Sequence, residues 1–261
     1  MTENNSALRG SLDIIWYVIV FLLLQLGIGI IFNFFKLSPI TSTIAITTLS
    51  SVATLLIFLK CKWTRVSNTW MLTRPWAVIA WAVLLAVGSI IPSEQLVEWT
   101  HFEMPEQVMK MMEGVMKKPL GYVVIGILAP LAEEVVFRGA ILRKLLGMMP
   151  TGRHWIAIAI SALLFGIVHF NLPQGIHAFL IGLLLGWMYY RTQSIIPGIV
   201  FHWVNNTISY VIVNLMPQCA DGNLVDLFNG NERMVGLSII FSLLIFLPSV
   251  FQLNTRMKKA K

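Results

Sequence analysis

Charge is what this sequence has least of. Only 12% of its 261 residues are Asp, Glu, Lys or Arg, about half the share found in a soluble globular chain. With 57% hydrophobic residues and a mean hydropathy of +0.76, that deficit excludes an ordinary soluble domain and makes the lipid bilayer the first partner. Cysteine is scarce too. Cys61 and Cys219 are the only two, and they show no metal-ligand spacing, which excludes a disulfide framework and a cysteine zinc site. Basic residues interleaved with aromatics are missing outside the apolar runs. The net charge of +7 therefore does not read as nucleic-acid binding; cytoplasmic loops account for it. Internal repeats and low-complexity segments are absent as well.

What the chain does have is apolar runs, eight of them, at about 14–35, 40–59, 76–91, 120–142, 155–170, 176–190, 195–216 and 235–251. The expected fold is all-α: a polytopic membrane protein of about eight transmembrane helices, in the cell membrane. The first run is too long for a signal-peptide core and lacks a small-residue cleavage site, so it is expected to be retained. The connections alternate in charge. Lys60, Lys62, Arg65 and Arg74 follow the second run, Arg143, Lys144 and Arg153 surround the fourth-to-fifth turn, Arg191 follows the sixth, and Arg256, Lys258, Lys259 and Lys261 close the chain. The intervening loops carry Glu94, Glu98, Glu103, Glu106 and Glu113, and later Asp221 and Asp226. Lys and Arg favour the cytoplasmic side, which places both termini there. Cys61 and Cys219 then fall on opposite sides, too far apart for a disulfide.

The longest connection, 92–119, carries Val108, Met111, Met112 and Val115 at helical spacing, with Gln107, Lys110, Glu113 and Lys117 between them. This is the pattern of an amphipathic helix at the membrane surface, read as an interfacial strut rather than a substrate gate. The fifth and sixth runs are short, so the turn 171–175 is expected below the surface, where a cavity or surrounding protein must accommodate it. Gly182 and Gly186 permit close helix packing and carry no functional weight.

Against this apolar background, the stretch Ala-Glu-Glu-Val-Val-Phe-Arg-Gly at 132–139 stands out. A charge at the bilayer centre costs about 2.5–3.5 kcal/mol on insertion scales, so intramembrane ionisable groups tend to mark sites. Residues four apart share a helix face. Glu134 can therefore pair with Arg138 as a structural brace, and His202 can point with Asn206 into one cavity. Glu133, about 100° round the helix from Glu134, lacks a local cation and is the candidate general base. A carboxylate near His169 could activate water, and His202 and Asn206 could donate to a developing oxyanion. Singly, each has a plain structural role as ion pair, core histidine or interhelical glue. Jointly, on three spans, they point to a hydrolase. His101, His154 and His177 lie near run ends, with His177 in reserve.

The motifs Glu133-Glu134-x-x-x-Arg138, Phe165-x-x-x-His169 and His202-x-x-x-Asn206, in that order, resemble those of the CPBP intramembrane proteases, the type II CAAX prenyl endopeptidases and bacteriocin-processing or Abi proteins. Ala129-Pro130-Leu131 and Arg138-Gly139 fit as well. The resemblance covers about 120–213 and divides the chain into three helices plus the amphipathic segment (1–119), a catalytic core (120–216) and a last helix with a basic tail (217–261). It implies an intramembrane endopeptidase whose cavity opens towards the cytoplasm and whose substrate is a lipidated or membrane-associated peptide. Glu133 would activate water with His169, His202 and Asn206 would form the oxyanion hole, and Glu134 and Arg138 would support them. The family is commonly labelled metallopeptidase. Zinc, if used, would take Glu133, His169 and His202, yet the oxyanion role needs His202 free of metal. Two other readings keep the residues without proteolysis: a scaffold or bacteriocin-immunity protein of the same fold, and a transporter, weakened by the lack of an inverted repeat. Oligomeric state is not legible.

Overall fold

The computed structural model of the chain describes residues 3–65, 69–216 and 223–258. Cys219, Asp221, Lys259 and Lys261 lie outside them, and with Cys219 the expected separation of the two cysteines. Every regular element among the described residues is helical: α1 (Glu3–Asn33), α2 (Pro39–Lys60), α3 (Thr69–Leu72), α4 (Trp76–Glu98), α5 (Glu106–Met116), α6 (Pro119–Met148), α7 (His154–Ile167), α8 (Leu172–Thr192), α9 (Ile196–Leu215), α10 (Leu224–Leu227) and α11 (Glu232–Arg256).

Seven of these are long and apolar enough to cross a membrane. The expected fifth span is α7, whose 14 residues reach only about 21 Å against a hydrocarbon core of about 30 Å. The chain is a multi-pass membrane protein, and its outer surface agrees. On α11, Phe241, Leu244, Leu247 and Phe251 are each at least 60% exposed along one helical stripe, a face that water would not tolerate and lipid does.

Local sequence sets the helix starts. Ser38 caps α2 by accepting from the Thr41 amide at 3.2 Å, with Pro39 at the first position. Asn171 caps α8 by accepting from the Gln174 amide at 3.1 Å. Pro173 sits in the first turn of α8, where a missing N–H has no partner to lose. The expected non-helical turn at 171–175 is thus corrected: α8 is already helical from Leu172. A second correction concerns α4. It does not stop at Pro92 but runs on to Glu98, because membrane helices tolerate proline where neighbouring helices support the backbone. Glu94 and Glu98 therefore belong to a helix and not to a loop.

The centre of the bundle is α6, in contact with α1, α2, α5, α7, α8 and α9. Its winding loosens over Val123–Leu128 and Val135–Leu142, on either side of the tighter Ala129–Glu134 turn. Wide turns of this kind often occur at functional sites. Side chains from elsewhere bond the carbonyls of the loosened stretches. Thr64 Oγ1 donates to Val135 O at 2.6 Å, Ser161 Oγ to Phe137 O at 2.9 Å, and Asn206 Nδ2 to Ile125 O at 3.0 Å. In a bilayer no water replaces such partners, so these bonds hold the shape of α6.

Candidate active site

The adjacent glutamates of α6 diverge as 100° of helical rotation requires. Glu134 points into the packed core, fully buried, and Arg138 Nη1 donates to its Oε1 at 2.8 Å. Arg138, itself 1% exposed, reaches on to the Gly182 carbonyl at 3.4 Å and lies 4.4 Å above the Phe165 ring. Two glycines make room for this. A Cβ on Gly182 would meet Arg138 Nη2 at 3.2 Å, and one on Gly198 would meet Glu134 Oε2 at 2.6 Å. Gly182 thus does more than let helices approach, contrary to the expectation that gave it no weight.

Glu133 instead faces a cavity of about 490 Å³, whose walls come from α4, α5, α6, α8 and α9, with His169, His202, Asn205 and Asn206 also lining it. His202 is almost fully buried between the two carboxylates. Its Nδ1 lies 3.5 Å from Glu134 Oε1 and its Nε2 3.7 Å from Glu133 Oε2. The histidine beside Glu133 is therefore His202. His169 makes no ion-pair approach to Glu133 among the described residues. It also lies beyond the end of α7, in the turn that follows Ile167. Its Nδ1 is 2.8 Å from Phe165 O; since a carbonyl only accepts, Nδ1 carries the hydrogen, and the neutral ring keeps Nε2 as an acceptor.

Three features of the cavity go beyond the sequence reading: the reserve candidate His177 lines it, Glu94 pairs with that histidine, and α5 walls it. His177 lies inside it, with Nδ1 3.2 Å from Glu94 Oε1 and Nε2 3.3 Å from Asn205 Oδ1, and not in solvent at a run end. No spacing links Glu94 to His177, so nothing local could have paired them. The third is the role of α5. It is amphipathic as expected, but its Met112 and Met116 line the cavity, and Gln174 Nε2 contacts Met112 Sδ. It is a wall of the cavity, a role the strut reading did not include.

The zinc alternative does not fit these positions. Among the described residues no three His, Cys, Asp or Glu side chains group as a metal site, and Glu133, His169 and His202 form no such set, where a zinc centre needs at least three protein donors.

Residues 116–208 match the family model described as type II CAAX prenyl endopeptidase Rce1-like, a span that includes all three motifs from Glu133 to Asn206. The match supports the resemblance of this stretch to the CPBP family. The match supports a membrane-embedded protease as the kind of protein, and a peptide or protein as the kind of substrate. No curated protein and no solved structure matches the chain significantly. In the matched stretch, the brace, the cavity carboxylate and the intervening histidine come from the first and third motifs on α6 and α9. The second motif supplies Phe165 beneath Arg138, and His169 at the cavity wall.

Proposed function

We propose that this chain is an intramembrane endopeptidase that hydrolyses a peptide bond in a lipidated or membrane-associated substrate, using water activated by Glu133. The observation that carries this reading is that Glu133 and His202 face one membrane-embedded cavity at 3.7 Å while a buried Glu134–Arg138 pair backs them.

Glu133 takes a proton from water, and the oxygen attacks the scissile carbonyl. His169 Nε2, an acceptor in the neutral ring, orients that water or shares its proton. Negative charge develops on the carbonyl oxygen, where His202 Nε2 and the second amide hydrogen of Asn206 donate to it. This role requires a proton on His202 Nε2. Collapse of the tetrahedral intermediate breaks the C–N bond, and the proton held by Glu133 passes to the leaving amine. The Glu134–Arg138 pair lies behind the ring of His202, with Glu134 Oε1 3.5 Å from its Nδ1.

The test is cleavage of membrane-associated peptides, prenylated and not, by purified protein, beside Glu133→Ala and in the presence of a zinc chelator. Cleavage that is lost in Glu133→Ala and survives the chelator is expected. Full activity of Glu133→Ala sinks the proposal, and loss with chelator restored by zinc would replace it with a metal mechanism.

A further inference from the structure

The helix ends sort the charges into two faces. One face holds the start of α1, the α2–α4 connection, the α6–α7 turn, the end of α8 and the end of α11. Three contacts bind it together: Arg143 Nη2 to Trp63 O at 2.5 Å, Lys144 Nζ to Asp13 Oδ2 at 2.5 Å, and Arg191 Nη2 to Asn254 O at 2.6 Å. The opposite face holds the ends of α4 and α9 with α5, α10 and the start of α8. It is joined by Leu224 N to Glu98, and by Asn214 Nδ2 to Met116 O at 3.1 Å. Of the Lys and Arg among the described residues, Arg138 is in the site, 11 belong to the first face and 5 to the second. Of the Asp and Glu whose side chains are described, Glu133 and Glu134 are in the site, 1 (Asp13) belongs to the first face and 7 to the second. The connections are short, the regime in which Lys and Arg bias sets orientation. The first face is cytoplasmic by that rule.

The cavity opens the other way. From Glu133 and His202 its walls run through Asn205 and His177 to Glu94, Glu98, Met112 and Leu224, all towards the acidic face, and the Glu94 side chain is 46% accessible there. Towards the basic face the site is closed. Phe137, Ile141, Leu142, Ile158 and Leu185 are completely buried between the Glu134–Arg138 pair and that surface.

From these two observations together we infer that the site is entered from the extracytoplasmic side, and that its substrate is a peptide presented there: a translocated peptide, or the outer end of a membrane-inserted one. A cytoplasmic lipidated tail does not reach Glu133 in this arrangement, which reverses the cytoplasmic opening implied by the family resemblance. The substrate class rests on the proteolytic reading; the sidedness does not.

The test separates the two. Cysteine-free protein (Cys61→Ser with Cys219→Ser) carrying Glu94→Cys or Lys110→Cys, and Cys219→Ser protein retaining the exposed Cys61, are treated in intact cells with a membrane-impermeant maleimide. Glu94→Cys and Lys110→Cys label in intact cells, and Cys61 labels only after the membrane is disrupted. Labelling of Cys61 from outside with Lys110→Cys protected overturns the orientation. A Glu94→Cys that stays unlabelled while Lys110→Cys reacts overturns the opening. In a second arm, quenched fluorescent peptides that cannot cross lipid are offered to right-side-out and inverted vesicles. Glu133-dependent cleavage is expected in right-side-out vesicles alone, and cleavage in inverted vesicles alone overturns the substrate class. Cleavage in neither discards the proteolytic reading and leaves the sidedness to the labelling result.

Discussion

The Oε1 atom of Glu134 accepts from Arg138 at 2.8 Å and also stands 3.5 Å from His202 Nδ1. One buried oxygen thus stands between the ion pair of α6 and the histidine of α9. The brace and the proposed catalytic residues share an atom, so damage to one reaches the other by a defined route.

Glu133 is the sharpest point at which to test that separation. Glu133→Gln keeps the shape of the side chain but cannot take a proton. Cleavage is expected to fall by about 10²–10⁴-fold, the usual contribution of a positioned base. Thermal unfolding in detergent should stay near that of the parent protein, because Glu133 faces the cavity and its neighbour His202 stands 3.7 Å away, beyond hydrogen-bond distance. A large drop in melting temperature would reassign Glu133 to structure.

Arg138→Ala should behave in the opposite way. Removing one partner of a buried pair leaves the other uncompensated, at about 3–5 kcal/mol. Unfolding in detergent should shift down strongly, and activity should fall with it. Arg138→Lys should recover little of either. A single ammonium cannot reproduce the guanidinium that reaches both Glu134 and the Gly182 carbonyl while lying over Phe165.

Gly198→Ala tests the geometry without touching a charged residue. The added Cβ would lie 2.6 Å from Glu134 Oε2, so the carboxylate or α9 must move. Overpacking of this kind costs about 1–3 kcal/mol. Activity should drop more than the stability loss alone explains, because His202 moves with its partner. Parent-like activity would show that the position of Glu134 does not matter to the chemistry.

Asn206 has two amide hydrogens and one recorded bond, to Ile125 O. If the second stabilises an oxyanion, Asn206→Ala lowers kcat by about 10²–10³-fold and changes KM little. A purely structural Asn206 would instead lower stability, with a parallel rise in KM as the loosened Val123–Leu128 stretch loses a partner.

Much of this was legible in the chain because it depends on neighbours in sequence. Apolar runs of spanning length announce themselves by composition, and Glu134–Arg138 at four residues apart must share a face. Helix spacing likewise sends Glu133 and Glu134 in different directions. The boundaries were less legible. Hydropathy ends α4 at Pro92, whereas the helix continues because packing against α9 and α11 supports it. The pairing of Glu133 with His202, and not with His169, was not written in any spacing. It depends on how α6 and α9 pack, and on the end of α7 before His169.

By itself, then, the sequence determined that this is a helical membrane protein with costly polar residues in the middle of its spans, and which of those residues can lie together on one helix. These are properties of periodicity and of transfer from water to lipid, and both are local. Only the tertiary structure decided that Glu94 and His177 meet in the cavity, that α5 walls it, and that it opens towards the acidic connections. Those relations join residues far apart in the chain. Their energies come from packing and from hydrogen bonds that lipid cannot replace, and neither exists until the helices have come together.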